Sequence, residues 1–198
     1  MTIAGVILAG GAGARIGTHK PLVPFRGAAL IDAVIARARP QVERLALDVP
    51  GEMMDAYARY SDMTVLPDLY AETGGPLCGI VTGLAWLASL PDAQWLATFP
   101  CDTPFLPDDL VSQLAQAKRD GRPVVATHGG RVQSIFGLWS KSCFAALKSG
   151  VEAGTLRSVR SAVEAFDGIE CAIAAPDHAF FNVNTREDLT AAEAFSPS

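Results

Sequence analysis

A glycine-rich segment near the N-terminus carries the residue types best suited to bind an anion. Residues 8–20 read L-A-G-G-A-G-A-R-I-G-T-H-K and continue the apolar run of residues 4–8. An apolar run that breaks into glycines predicts a buried strand feeding a phosphate-binding turn, since glycine lets backbone N–H groups approach anionic oxygens. Arg15 and Lys20 would neutralise the bound charge. Because the segment matches neither the P-loop nor the full G-x-G-x-x-G pattern, a turn without a ligand is the alternative.

Asp102 is the residue best suited to hold a metal ion. It stands in F-P-C-D-T-P-F-L, shortly after a predicted strand over residues 94–99. Mg²⁺ is usually held by one or two carboxylates together with substrate phosphates and water, so a single carboxylate at a strand tip is a suitable ligand. The alternative is that Asp102 caps the predicted helix that follows, a role for which Thr103 and Asp108 are also suited.

Two further carboxylates lie at the ends of predicted strands. Asp48 belongs to the end of the strand over residues 44–49, and Asp68 follows the strand over residues 64–66. A carboxylate can accept hydrogen bonds from N1–H and the exocyclic amine of guanine, or from ribose hydroxyls. Each could instead cap a turn, since prolines lie close to both. Asp48 and Asp68 are therefore candidate nucleoside contacts with a structural alternative.

A second glycine-rich segment precedes an apolar helix. Residues 74–79 read G-G-P-L-C-G, and the predicted helix ends at residue 90. A helix N-terminus presents N–H groups without intrahelical partners, and near Gly75 these groups could recognise the edge of a neutral purine base. The alternative is a turn that serves only packing.

Two asparagines stand near the C-terminus in F-N-V-N-T, residues 181–185. Because Asn182 and Asn184 are two positions apart on an extended segment, their side chains should point the same way. Two amides could bridge phosphate oxygens, a metal-bound water or the edge of a pterin. Asn184 or Thr185 could also cap the following helix, with Asp188 in its first turn, and the two roles are compatible.

Strand and helix patterns alternate along the whole chain. The predicted strands cover residues 2–9, 44–49, 64–66, 94–99, 124–127, 134–139 and 169–174. The predicted helices cover residues 28–39, 52–60, a segment ending at 90, 106–119, segments beginning at 141 and 156, and 186–195. This order predicts an α/β fold of three layers, in which a mostly parallel sheet lies between helices. The short connection at Gly129 predicts a hairpin, and therefore one antiparallel strand.

The predicted topology brings the candidate residues together. In sheets of this kind, ligands bind at the carboxyl ends of the strands. The first four predicted strands end at residues 8–10, Asp48, Asp68 and Asp102, so we expect all four ends to line one crevice.

Length and composition favour one domain over residues 1–198. The net charge of −5 argues against a broad nucleic-acid or anionic-membrane surface. The four cysteines form no C-x-x-C motif and are expected to be reduced. We find neither a signal-peptide pattern nor an apolar stretch of membrane-spanning length, so we expect a cytoplasmic protein. We also expect the three histidines, which lie in polar segments, on the surface.

Four segments occur in order across nearly the whole chain: L-A-G-G-A-G-A-R-I-G-T-H-K, G-P-L-C-G-I, F-P-C-D-T-P-F-L and F-N-V-N-T-R-E-D-L. Together they resemble the molybdenum cofactor guanylyltransferase family, of the bacterial MobA type. The resemblance implies a Rossmann-like nucleotidyltransferase fold. It also implies transfer of GMP from Mg-GTP to the terminal phosphate of molybdopterin, with release of pyrophosphate, and molybdoenzyme maturation proteins as partners.

The resemblance further implies roles for individual residues. It assigns nucleotide contacts to both glycine-rich segments and to the carboxylates at the strand tips: Leu8, Ala9, Gly10, Gly11, Lys20, Asp48, Asp68, Gly75 and Asp102. Arg15, Lys20 and Mg²⁺ on Asp102 would supply the positive charge for catalysis, which would rest on positioning and charge neutralisation. Asn182 and Asn184 would lie towards the pterin.

Two departures from the family pattern leave alternatives open. His19 stands where the family usually has an acidic residue, and P-L-V-P-F after Lys20 is similar to sugar nucleotidyltransferases. The first alternative is a molybdopterin cytidylyltransferase or a sugar-1-phosphate nucleotidyltransferase, although the related cytidylyltransferases usually open with L-A-A-G. The second is a nucleotide-binding protein that delivers the cofactor without turnover. The third is an α/β domain with a degenerate site.

Overall fold

The computed structural model describes residues 2–10, 19–70 and 74–195. Its strands are β1 (Thr2–Leu8), β2 (Pro24–Phe25), β3 (Ala28–Ala29), β4 (Arg44–Val49), β5 (Thr64–Pro67), β6 (Ala93–Pro100), β7 (Val124–His128), β8 (Arg131–Ser140) and β9 (Ile169–Ala172). Its α-helices are α1 (Leu30–Ala38), α2 (Pro76–Ala88), α3 (Leu110–Gln116), α4 (Phe144–Glu152), α5 (Val159–Ala165) and α6 (Arg186–Ala194). Four 3₁₀ helices cover Lys20–Leu22, Arg39–Gln41, Gly51–Tyr60 and Lys141–Cys143 within the described ranges.

Seven of the described strands form one mixed sheet in the order β5-β4-β1-β6-β8-β7-β9. Neighbouring strands are parallel except at β8, which is antiparallel to both β6 and β7. Gly129 and Gly130 join β7 to β8 with positive φ at both residues, and such a short turn connects antiparallel strands. The predicted α/β fold, with a mostly parallel sheet and one antiparallel strand, is confirmed.

The carboxyl ends of four parallel strands are aligned at one edge of this sheet. Leu8, the last residue of β1, pairs with Asp48 on one side and with Pro100 on the other. β5 pairs in turn with β4, and Asp68 is the residue directly after it. Asp102 stands two residues beyond Pro100. The expected meeting of these four strand ends is therefore observed.

Helices cover both faces of the sheet, which explains why β1 is apolar along its whole length. Ile3 and Ile7 belong to a core that includes residues of α1, α3 and the 3₁₀ helix Gly51–Tyr60. Ala4 and Val6 belong to a second core that includes residues of α2, α4 and α5. This division follows from the alternation of side chains along a strand. Among the described residues, no helix has both the length and the apolar character that crossing a membrane requires.

A small antiparallel ribbon, β2 with β3, precedes α1. The helix predicted over residues 28–39 was wrong at its start, because its first two residues pair with β2 and the helix begins at Leu30. The turn between the two strands places Arg26 and Gly27 at φ values of 48° and 83°. Glycine adopts this conformation without the steric cost that other residues meet.

Arg26 connects this ribbon to the end of the last helix through hydrogen bonds. Its guanidinium donates hydrogen bonds to the carbonyl oxygens of Ala192, at 3.0 Å, and of Phe195. The same group lies over the rings of Phe25 and Phe105, at 5.2 and 5.3 Å from their centroids. A cation at the C-terminal end of a helix also interacts favourably with the helix dipole. The segment after Lys20 is thereby held against α6.

The helix predicted over residues 106–119 is shorter at both ends. α3 covers Leu110–Gln116, so Pro107 and Asp108 precede the helix. Leu106 is fully buried in the core that includes residues of α1 and β1, and this burial holds its segment outside the helix. Tertiary packing has overridden a helical sequence pattern here.

Replacing Gly83 with alanine should destabilise the fold. A Cβ at this position of α2 would lie 2.8 Å from Cγ1 of Val6 and 2.9 Å from Cδ2 of Leu96. Overpacking of a core costs about 1–3 kcal/mol of unfolding free energy, which urea denaturation would measure. Gly51→Ala is the control, because a Cβ there would have no atom within 4 Å. Equal unfolding midpoints for both variants would contradict the described packing of α2 on β1 and β6.

Candidate functional site

A cavity of about 300 Å³ lies where β1, β4, β5 and β6 end. It is lined by residues from separate parts of the chain: Leu8, Gly10, Lys20, Pro21, Asp48, Asp68, Gly75, Pro76, Pro100, Cys101, Asp102, Ile135 and Asn184. Ligands of parallel sheets bind at this edge, and the volume falls within the range of small-molecule sites. This cavity is therefore the candidate functional site.

Most of the predicted site residues line this cavity together: Leu8, Gly10, Lys20, Asp48, Asp68, Gly75, Asp102 and Asn184. Ala9 does not line it, because the residue is fully buried in the core and its amide donates to the carbonyl oxygen of Asp48 at 2.8 Å. Asn182 also lies outside the lining. Gly11 and Arg15 lie outside the described residues, so their roles stay predictions.

Lys20 connects two distant parts of the chain at the cavity. Its ammonium group lies 2.6 Å from Oδ2 of Asp102 and 2.7 Å from Oδ1 of Asn184. Only 9% of the lysine is exposed. The 3₁₀ helix Lys20–Leu22, with Pro21 in its first turn, places this lysine shortly after the glycine-rich segment. Lys20 and Asp102 therefore share one site.

Hydrogen bonds from neighbouring residues hold the segment that contains Asp102 in place. The hydroxyl of the completely buried Thr103 donates to Oδ1 of Asn182 at 2.6 Å and lies 3.2 Å from Oδ1 of Asp102. The amide of Val183 donates to the carbonyl oxygen of Asp102 at 2.9 Å. Because α3 begins only at Leu110, Asp102 does not cap that helix. The sequence suggests Thr103 only as a helix cap, and no sequence pattern identifies its hydrogen bond to Asn182.

The cap of α6 leaves the side chain of Asn184 available to the cavity. Thr185 is the N-cap residue, and its hydroxyl accepts a hydrogen bond from the amide of Asp188 at 3.1 Å. Oδ2 of Asp188 accepts from the amides of Asn184 and Thr185 at 2.9 and 2.8 Å. This reciprocal arrangement is a capping box. The backbone of Asn184 therefore serves the helix start, while its side chain holds Lys20.

Asp48 is an almost completely buried carboxyl group, with 1% of the residue exposed. Its Oδ1 atom has no hydrogen-bond partner among the described residues. Burial, and after it the negative charge of Asp68, raises the pKa of Asp48 to about 8, since both disfavour the ionised form. At pH 7 the group is therefore predominantly a neutral carboxylic acid, which can donate as well as accept a hydrogen bond.

Glycine at two positions makes room for the carboxyl groups of Asp48 and Asp68. A Cβ on Gly10 would lie 3.1 Å from Oδ2 of Asp68 and 3.2 Å from Oδ2 of Asp48. A Cβ on Gly79 would lie 2.4 Å from Oδ2 of Asp48, so α2 can approach this carboxyl only through glycine. No role of Gly79 beside Asp48 is predictable from the sequence, because the need for glycine depends on a distance between elements that are remote in the chain.

Asp68 both stabilises a turn and lies at the cavity. Its Oδ1 accepts a hydrogen bond from the amide of Tyr70 at 2.8 Å, which stabilises the turn after β5. The residue also lines the cavity, where it contributes negative charge beside Asp48. The turn and a nucleoside contact are therefore compatible.

The N-terminus of α2 forms another part of the cavity wall. Gly75 is the N-cap residue with a φ of 91°, and Pro76 follows at the first helical position, where a missing N–H costs nothing. Both residues line the cavity. Gly75 therefore lies where the predicted base contact would be, and its role there stays a prediction.

His19 is only partly exposed, whereas we expected it on the surface. Its Nε2 lies 2.7 Å from the hydroxyl of Tyr57, which is fully buried in the core. Burial lowers the pKa of the His19 imidazole, an effect that the charge of Glu52 opposes. The histidine thus links the residue before Lys20 to the 3₁₀ helix Gly51–Tyr60.

Comparisons with known proteins point to one family. A family model described as a MobA-like NTP transferase domain matches residues 5–153. The chain is 36% identical over 197 residues to a molybdenum cofactor guanylyltransferase of Mesorhizobium japonicum, covering 96% of this chain and 94% of that protein. It is 40% identical over 199 residues to a molybdenum cofactor guanylyltransferase of Rhodobacter capsulatus, covering 98% and 96%.

A solved structure shares the fold. The crystal structure of molybdopterin-guanine dinucleotide biosynthesis protein A from Archaeoglobus fulgidus has a TM-score of 0.78 to this chain. The two chains are 21% identical, and the match covers 98% of this chain and 97% of that one. The described arrangement of strands and helices is therefore that of a known α/β architecture.

Asp48→Asn should remove a pH dependence of stability. The folded-state pKa of about 8 exceeds the ordinary value of 3.8, so between these pH values the folded protein keeps a proton that the unfolded chain releases. The unfolding free energy of the wild type therefore falls as the pH rises through this interval. Asparagine cannot ionise. The unfolding free energy of the variant minus that of the wild type should therefore increase by about 1 kcal/mol or more between pH 5 and pH 8.

Urea denaturation between pH 5 and pH 8 would measure this change, and these pH values bracket most of the interval in which Asp48 differs between the two states. The exposed Asp55 provides a matched control as Asp55→Asn, which should keep the wild-type profile. A difference between Asp48→Asn and wild type that stays constant with pH would contradict the raised pKa.

Proposed function

The chain belongs to the family of MobA-like NTP transferase domains, and from this premise we propose that it is a molybdenum cofactor guanylyltransferase. It transfers GMP from GTP to the terminal phosphate of molybdopterin, forms molybdopterin guanine dinucleotide and releases pyrophosphate. The relatives that are 36% and 40% identical over nearly their full length carry that name. The family resemblance inferred from the four sequence motifs is thereby confirmed.

The observation that carries this proposal is the meeting of Lys20, Asp102 and Asn184 at one cavity. The reaction joins two anions, since the acceptor phosphate must attack the α-phosphorus of GTP. Catalysis therefore depends on positioning and on neutralisation of negative charge. Lys20 would supply one positive charge, and Arg15 would supply another.

Nucleotidyltransferases of this family generally use a divalent metal ion with the nucleotide, and here we propose Mg²⁺ held by Asp102. The donor chemistry fits, because a carboxylate oxygen is a preferred ligand of Mg²⁺ and the side chain of Asp102 is 20% exposed at the cavity. The described residues form no group of three or more His, Cys, Asp or Glu side chains that could hold a metal ion. When bound, the ion would polarise phosphate oxygens.

The remaining chemistry would be done by positioning. Asn184 holds the ammonium group of Lys20, and Thr103 joins the Asp102 segment to Asn182. The acceptor phosphate is itself the nucleophile and pyrophosphate is the leaving group, so the reaction requires no covalent intermediate on the protein. Asn184, which lines the cavity, would lie on the acceptor side, with Asn182 behind it.

Recognition of guanine would involve the part of the cavity that Asp48, Asp68 and Gly75 line. The neutral carboxyl of Asp48 offers one donor and one acceptor, while Asp68 offers acceptors. A guanine edge carries N1–H and an amino group as donors and O6 as an acceptor, which matches this set. Backbone groups near Gly75 would complete the contacts. The product would then pass to molybdoenzyme maturation proteins in the cytoplasm.

Pyrophosphate release from GTP, with molybdopterin as the acceptor, tests this function. GTP should support turnover better than CTP or UTP under the same conditions with Mg²⁺. A preference for CTP would indicate a cytidylyltransferase. GTP binding without pyrophosphate release would indicate a delivery protein, and the absence of binding to any nucleotide would indicate a degenerate site.

Asp102→Ala should abolish most of this turnover. A bound metal ion contributes several kcal/mol of charge stabilisation, so loss of its carboxylate should reduce kcat by about 100-fold or more. Asp108→Ala is the matched control, because Asp108 is an exposed residue on the same segment whose partner is Arg37. If Asp102→Ala retained the turnover of Asp108→Ala, the assignment of the metal ligand would be wrong.

A further inference from the structure

The ammonium group of Lys20 is bound to a carboxylate oxygen of Asp102, the residue that would hold a metal ion. Nζ is 2.6 Å from Oδ2 of the carboxylate and 2.7 Å from Oδ1 of Asn184. The lysine is nine-tenths buried, so this is not a loose surface pair. The other carboxylate oxygen, Oδ1, lies 3.2 Å from the hydroxyl of Thr103. Because that hydroxyl donates its one proton to Asn182, the charge of Asp102 is balanced within the described residues by Lys20 at Oδ2.

This arrangement opposes the binding of a metal ion by itself. The ammonium neutralises the single negative charge of Asp102, and it repels any second cation brought to the same oxygen. A divalent ion could displace the lysine only if Lys20 found another anion. A nucleoside triphosphate provides such an anion at the same cavity, and its charge is several times that of one carboxylate.

We propose that Lys20 serves as an internal substitute for the metal ion while the nucleotide is absent, and that the triphosphate draws it away and opens Asp102 to the metal. The inference rests on the proposed function for the identity of the two ligands. Metal and nucleotide then bind with positive coupling, so each raises the affinity for the other by the same factor. The device prevents Asp102 from binding metal before the substrate has arrived.

Only side-chain motion of Lys20 is needed for this exchange. The backbone at this position is fixed by bonds from the amide of Leu22 to the carbonyl of His19, at 3.0 Å, and from the amide of Val23 to the carbonyl of Lys20, at 3.3 Å. Lysine carries its charge on a flexible four-carbon stem. The backbone of Asn184 is held as well, because its backbone amide donates a hydrogen bond to Oδ2 of Asp188 at 2.9 Å.

Titration with Mn²⁺, followed by the electron paramagnetic resonance signal of the free ion, tests the proposal. Wild type and Lys20→Met would be compared with and without α,β-methylene-GTP, an analogue that cannot transfer GMP. Without the analogue, Lys20→Met should bind Mn²⁺ at least about tenfold more tightly than wild type, within the usual range of coupling between sites. The same variant should bind the analogue less tightly. Loss of a simple phosphate contact predicts only the second change.

Two variants control this measurement. Lys148→Met removes the same charge from an exposed pair with Glu152 on α4, so it should leave Mn²⁺ affinity unchanged. Lys20→Met combined with Asp102→Asn should lose the gain, because the carboxylate that binds the ion is gone. If the double variant kept the gain, the ion would be bound elsewhere and the proposal would fail.

The wild-type chain provides a test that does not depend on the folding of a variant. Its Tm should rise more with Mn²⁺ and the analogue together than the sum of the two separate shifts. Additive Tm shifts would overturn the proposal that Lys20 takes the place of the metal ion. Equal Mn²⁺ affinities of wild type and Lys20→Met would overturn it as well. Neither result depends on turnover with molybdopterin. A lack of turnover would instead overturn the proposed function.

Discussion

The ion pair between Lys20 and Asp102 is the contact on which the site depends. It joins residues that are 82 positions apart, and it depends on the end of β6 lying beside the end of β1. An ion pair that is largely removed from water often adds little net stability, since desolvation offsets the attraction. Its contribution is geometric: it sets the relative position of a cation, a carboxylate and the amide of Asn184.

Environment gives the carboxyl groups at this edge of the sheet different properties. Asp102 has a cation beside it and remains partly exposed. Asp48 is enclosed by β1 and α2, has Asp68 nearby, and keeps its proton as a result. Groups of the same chemical type can therefore serve different purposes in one cavity. Glycine at position 79 is a condition for this enclosure, because a Cβ there would overlap Oδ2 of Asp48, and a Cβ at position 10 would crowd Oδ2 of both Asp48 and Asp68.

The sequence was sufficient to predict the sheet and the residues at its edge, because an apolar run covered on both faces and the regular alternation of strands and helices allow few topologies. It did not predict the start of α3, the ribbon before α1 or the contact of His19 with the core. Each of these depends on a partner distant in the chain: the core around Leu106, the contact of Arg26 with α6, and Tyr57. The same holds for Gly79 and Thr103, whose roles appear only as distances.

The hydrogen bonds between Arg26 and the end of α6 have a consequence for the order in which the site forms during synthesis. The ribbon that follows Lys20 is synthesised long before its partners in α6 and before the side-chain amide of Asn184. A nascent polypeptide lacks these partners until residues 184–195 have been added. The group of Lys20, Asp102 and Asn184 therefore forms after the strands of the sheet have been made, and a ribosome-bound chain that stops before Asn184 does not possess it.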